Sequence, residues 1–160
     1  MKKFTLSIKM CLSLWIGLAL MAFSNRFNFE EQSGFLQKIL NEHYDDGYKS
    51  GGIKRFELNV TNTGFCRYKR FYTTGKVEYF SFNLIKFKDL DYYGTDKSGS
   101  LYLRTIGEDV IVQTYNDRKG GDIDSMASYM LIPLKNVEAD HLIAISERML
   151  KLNARLLAQK

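Results

Sequence analysis

From Glu30 to Tyr44 the apolar positions Phe35, Leu36, Ile39 and Leu40, with His43, recur at steps of three and four, which predicts a helix with one buried face. Ser33 is placed to cap it, although Gly34 just inside the first turn weakens the start, and Asp45-Asp46-Gly47 reads as its stop. Ser50-Gly51-Gly52 then reads as a loop. The middle of the chain changes to a period of two. Phe56, Leu58 and Val60 alternate with Glu57 and Asn59, and Asn62-Thr63-Gly64 turns the chain into an aromatic and basic strand over 65–72. After Thr73-Thr74-Gly75-Lys76 the alternation resumes with Phe80, Phe82 and Leu84, then flips phase to Ile85 and Phe87, which predicts a bulge or a new strand. Residues 91–100 read as a polar loop. Residues 101–106 and 110–115 flank Gly107-Glu108-Asp109, which reads as a hairpin connection. A second polar loop covers 116–125, and a last strand spans 127–134, where Pro133 marks an end or an edge. The chain closes on a helix capped by Asn136, whose Leu142, Ile145, Met149, Leu152 and Leu156 form a stripe that Ile143, Leu150 and Leu157 widen toward a covering sheet.

The pattern predicts an α+β fold: a short N-terminal helix, an antiparallel sheet of about seven strands, and a C-terminal amphipathic helix that caps it. By element order alone this is similar to the pleckstrin-homology-like architecture, a PH-like sandwich or barrel. A cystatin-like curved sheet wrapped on helix is the alternative.

The N-terminus changes the charge picture. Lys2, Lys3 and Lys9 precede a run of 14 uncharged residues, 10–23, and Ala22-Phe23-Ser24 places small residues where a signal peptidase reads. Residues 1–24 are therefore expected to be a secretory signal peptide, and 25–160 a single exported domain that begins with a tether over 25–29. The apolar run is shorter than the roughly 20 residues a spanning helix needs, and the alternative is an uncleaved anchor in which Phe4 to Ile8 extend it. Cleavage near Ser24 would leave 136 of 160 residues and lower the formal charge from +5 to +2, since the three lysines leave without an acid. Much of the basicity belongs to export, and the expected location is periplasmic or extracellular. Cys11 leaves as well, so Cys66 has no intramolecular disulfide partner and is expected to be buried.

Catalytic patterns are absent from the sequence. His43 and His141 lack the spacing of a zinc helix. The paired acids Asp45/Asp46, Asp89/Asp91, Glu108/Asp109 and Asp122/Asp124 sit in or beside turns, where aspartate stabilises the turn itself. An EF-hand-like reading of Asp89, Asp91 and Gly94 fails, because Ser100 stands where the bidentate glutamate belongs; Asp117, Asp122 and Asp124 leave a looser calcium site open. No phosphate-binding glycine loop or nucleophile elbow is present. No cofactor is expected.

The distinctive segment is 54–76, where Lys54, Arg55, Arg67, Lys69, Arg70 and Lys76 face one acid, Glu57, among interleaved aromatics. Arg67, Tyr68, Lys69, Arg70 and Tyr72 form the candidate binding face. Each face of that strand carries cations, which predicts an edge strand or an exposed sheet face. Basic and aromatic side chains on a sheet suit single-stranded nucleic acid, but export argues against that ligand. A protein partner or an anionic envelope component meets the same charge logic, with membrane contact only through the signal segment if it is retained. The expected function is a non-catalytic binding module. A lipid or small-molecule carrier, with an apolar pocket between sheet and C-terminal helix, is the alternative, and a hydrolase built on Cys66 or the loop carboxylates ranks last.

Overall fold

A computed structural model describes residues 29–47 and 52–159. Residues 1–24, read above as a signal peptide, residues 25–28 of the expected tether, and Ser50 and Gly51 of the expected loop fall outside the described residues. The fold is α+β, with two helices and eight antiparallel strands in two sheets. Helix α1 covers residues 29–42. The strands are β1 (Ile53–Val60), β2 (Phe65–Tyr72), β3 (Val77–Asn83), β4 (Phe87–Gly94), β5 (Ser98–Thr105), β6 (Val110–Tyr115), β7 (Asp124–Ala127) and β8 (Tyr129–Lys135), followed by helix α2 (Ala139–Ala158). One sheet has the order β1-β2-β3-β6-β7 and the other β4-β5-β8.

Three links carry the chain between the sheets, after β3, after β5 and after β7. The phase flip after Phe82 is a single 3-10 turn, Leu84–Lys86, opened by Asn83, whose Oδ1 accepts the Ile85 N–H at 3.0 Å. From α2, Asn153 Nδ2 donates to the carbonyls of Leu84 (2.7 Å) and Phe87 (3.3 Å), so the helix fixes the corner. Gly64, in the β1–β2 turn, has φ +82°, and a Cβ there would lie 2.5 Å from Leu156 Cδ1, so the turn needs glycine both for conformation and for the approach of α2. The last of the three links is Ser128. The extended run begins at Asp124, before the strand read from sequence, because three of the four β7 side chains are exposed and give no periodic apolar signal.

Helix α1 covers the free edge of β1. Its Asn41 Nδ2 donates to the Leu58 carbonyl at 3.0 Å, and its Gln37 Oε1 accepts the Val60 N–H at 3.2 Å, supplying partners that an edge strand otherwise lacks. At its C-terminal end the chain crosses to the other sheet: Lys135 N–H donates to the His43 carbonyl (2.7 Å) and Asp45 N–H to the Pro133 carbonyl (3.0 Å), a bridge centred on Tyr44 and Leu134. Pro133 therefore does lie at an edge, and β8 runs on past it. Between the sheets and helices is one contiguous core, which includes Leu36, Leu40, Tyr68, Phe82, Leu103, Ile132, Ile145 and Met149.

Several expectations shift. Ser33 is inside α1, where its Oγ donates to the Glu30 carbonyl, and Phe29 is a buried helical residue rather than part of a tether. Gly107-Glu108-Asp109 joins strands of different sheets and is no hairpin. The loop expected over 91–100 is shorter: β4 extends to Gly94 and β5 begins at Ser98, with Tyr92 Oη donating to the Thr95 carbonyl across the turn. Asn136 sits at φ 53°, a turn residue ahead of buried Val137, and Glu138 caps α2 instead. Ile143, Leu150 and Leu157 stay half-exposed, because α2 packs on the corner and β4 through the narrow stripe of Ile145, Met149 and Leu152.

Tyr44 and Tyr68 share a buried hydrogen bond, Oη to Oη at 2.7 Å. Tyr44→Phe strands the Tyr68 hydroxyl and should cost about 1–3 kcal/mol in urea unfolding. Removing both hydroxyls should recover part of that loss. A Tyr44→Phe protein as stable as the wild type would refute this role.

Candidate functional site

Strand β2 is the second strand of its sheet, paired with β1 and β3 along its length. Alternation splits the five candidate residues: Tyr68, Arg70 and Tyr72 share the inward face with Cys66, and Arg67 and Lys69 point outward.

The inward three are tied into structure. Tyr68 is fully buried. Burial, then the hydrogen bond with Tyr44, pushes its phenol well above the usual tyrosine range. Arg70 Nη2 meets Glu78 Oε2 at 2.6 Å, directly across the β2–β3 register, and its guanidinium lies 5.4 Å and 5.0 Å from the ring centres of Tyr68 and Phe80. Tyr72 Oη donates to Glu78 Oε2 at 2.8 Å. Burial and that hydrogen bond raise the Tyr72 phenol to about 12. Lys76 Nζ joins Glu78 Oε1 at 3.0 Å to Asp117 Oδ2 at 2.8 Å. Burial of Glu78 works to raise its carboxyl, but Arg70, Tyr72 and Lys76 together outweigh it and hold the group below its ordinary value. Asp117 is held at about 2 by Lys76 and by the N–H groups of Gly120 and Lys119.

The outward pair is different. Lys69 stands between Glu57 and Tyr79, and Arg67 between Asn59 and Ser81. Glu57 is already paired with Arg55. Lys69 Nζ is 5.4 Å from the centre of the Tyr79 ring, and Arg67 Cζ is 5.2 Å from that of Phe65. Among the described residues, neither Arg67 nor Lys69 has a carboxylate within ion-pair distance. With Glu57, Asn59, Tyr79 and Tyr115 they line a shallow concavity of about 370 Å³.

The remaining candidates resolve into local chemistry. Asp89 and Asp91 both approach Arg104, at 3.6 and 2.6 Å, Asp46 pairs with Lys135, and Asp109 with Lys86. Asp122 accepts the Asp117 N–H, and no cluster of three metal-ligating side chains occurs among the described residues. The two histidine rings meet tilted at 43°, with centres 4.5 Å apart, where α1 ends and α2 begins; His141 Nδ1 accepts the Glu138 N–H. Cys66 is buried as expected, and burial pushes its thiol up to about 12. Glu78 was missed by composition and spacing, because only the β2–β3 register reveals that it faces Arg70. No family model, curated protein or solved structure matches the chain. No helix of the described residues is long and apolar enough to cross a membrane.

A carboxylate with a lowered folded-state value stabilises the fold fully above its unfolded value, about 4.3, and that contribution is lost as pH falls through the folded value. Stability should therefore fall from about pH 5 downward. Glu78→Gln should cost about 1–3 kcal/mol at pH 7 by leaving Arg70 without its partner, and should flatten the acid slope. Unfolding midpoints measured across pH check both, and an unchanged slope would contradict them. Cys66 should resist thiol reagents in the native protein at pH 7 and react on unfolding; rapid native labelling would show the site to be open.

Proposed function

We propose that this chain is a small exported binding module, without catalysis, that presents the outer face of its five-stranded sheet to a protein partner or an anionic envelope component. The observation that carries this reading is the contrast across β2. Arg70 on the inner face is neutralised by Glu78, whereas Arg67 and Lys69 on the outer face keep their charge unpaired beside Tyr79 and Tyr115. Unpaired cations on a partly sheltered surface attract anions at a distance, and adjacent rings offer contact area once a ligand arrives. Tyr68, Arg70 and Tyr72 support that face from beneath. Export through cleavage near Ser24 belongs to the same reading, and so does the absence of nucleic acid as a ligand. Two antiparallel sheets with a C-terminal helix support a PH-like sandwich; α1 on the β1 edge, with the 43–45 segment after it on β8, supports the cystatin-like alternative.

The test is charge reversal at Arg67 and Lys69 together. Retention on immobilised polyglutamate, and crosslinked capture from the envelope fraction, should both be lost, with unfolding free energy changed by less than about 1 kcal/mol. Reversal of Arg118 and Lys119, which do not line the concavity of Arg67 and Lys69, should leave both readouts intact. A double variant that holds every wild-type partner would sink the proposal.

A further inference from the structure

The solvent side of α2 carries a pattern that the fold does not use. Ile143, Leu150 and Leu157 are 56, 49 and 52% exposed. They stand seven residues apart, so they fall on one line along the helix, roughly 21 Å from first to last. The line is opposite the stripe of Ile145, Met149 and Leu152 that meets the core. Ala154 lies along it, one turn beyond Leu150. A seven-residue repeat of branched aliphatic side chains on a helix surface is the pattern of a seam between two helices.

The charges beside the line indicate what covers it. Glu147 and Lys151 are exposed on one flank, and among the described residues neither has a charged partner. Asp140 continues that flank toward the start of the helix. Arg148 and Arg155, farther round, are drawn toward α1, with guanidinium carbons 3.6 Å from the centre of the Phe35 ring and 6.0 Å from that of Phe29. The line is thus bordered by two acids and one base, whereas a helix that lies on an anionic lipid surface is bordered by lysine and arginine. The other flank holds Ser146 and Asn153, which carry no charge.

Mixed charge on a single flank suits a second copy of the same helix. Two α2 helices set antiparallel about a two-fold axis at Leu150 bring the same flank of each together. Leu150 then meets its own equivalent, and Ile143 meets Leu157 of the second copy. Glu147 comes within roughly 3 Å, along the helix axis, of the level of Lys151 of the second copy, and symmetry makes that pair twice. A parallel pair would instead set the flank against Ser146 and Asn153 and leave both charges of each copy unanswered.

We infer that this chain dimerises through α2, with the two helices antiparallel and Leu150 on the axis. One stripe of three aliphatic residues is small beside a standard interface of about 800 Å² per partner, so the dimer assembles with rising protein concentration. It uses neither Arg67 nor Lys69 and stands independently of the outer-face reading.

The test is sedimentation equilibrium, over a concentration series, on the chain in the form recovered from cells. The weight-average mass should rise from one chain toward two. Leu150→Glu should raise the dissociation constant about tenfold or more, because it brings two like charges together at the axis, and should leave the unfolding midpoint unchanged. Glu147→Lys and Lys151→Glu should each weaken association by about threefold to tenfold. The double variant restores opposite charges across the axis and should recover most of that loss. This exchange keeps the inference falsifiable should Leu150→Glu disturb the helix. A protein that stays monomeric at every concentration overturns the inference, and release from anionic vesicles on Leu150→Glu would then give the stripe to lipid. Association that Leu150→Glu leaves unchanged overturns it too, as does a double variant no better than either single one.

Discussion

Tyr44 is where the parts of this molecule meet. It follows the last turn of α1, and its backbone bridges β8 of the three-stranded sheet. Its ring stacks on Phe56 of β1 at 3.6 Å between centres, and its hydroxyl meets Tyr68 of β2 at 2.7 Å. One residue thus ties the first helix to both sheets. Among the described residues the only cysteine is the buried, unpaired Cys66, so this junction is held by packing and hydrogen bonding. A buried hydroxyl pair is specific in a way that apolar contact is not, because a shifted register would strand two polar atoms in the core. The same requirement places Tyr68 inward, and period-two alternation then decides the direction of every other side chain on β2.

That alternation gives adjacent cations opposite fates. Arg70 shares the face of Tyr68 and is enclosed, so it needs a counter-charge, which Glu78 supplies from the neighbouring strand. Glu78 also receives Tyr72 and Lys76, and Lys76 passes the network on to Asp117 at the open end of the sheet. Lys69 and Arg67 share the other face, where water solvates them and no counter-charge is required. Charges of this exposed kind act over about 8–10 Å at ordinary salt, a range that suits attraction of a partner rather than stabilisation of the fold. The two groups of cations thus differ in physical role although the sequence presents them as one run.

The sequence made the elements legible where burial was one-sided. The stripe of α2, the alternation of β1 and the phase flip at Leu84 each report a surface that is apolar on one side only. It was silent where structure rests on backbone alone, as in β7, whose exposed side chains say nothing of its pairing with β6. It misled where one local signal serves two geometries. A three-residue polar link such as 107–109 can close a hairpin or cross between sheets, and an asparagine before a helix can cap it or adopt a left-handed turn, as Asn136 does. The candidate site shows the same limit. Its residues were found by charge and aromatic content, but their division into two faces depends on which face the core takes. Cations on both faces of β2 concealed that choice until the register brought Glu78 opposite Arg70.

Parity along β2 therefore separates roles that composition merges. Even-numbered positions 66, 68, 70 and 72 answer to the core, and their substitution acts first on folding. Odd-numbered positions 67 and 69 answer to solvent, and their substitution acts first on what the solvent contains. Arg70 is the charged member of the even set, and it is accommodated there because Glu78 answers it from the neighbouring strand. Arg67 and Lys69 need no such answer, so the same residue type is a structural group at one parity and an available charge at the other.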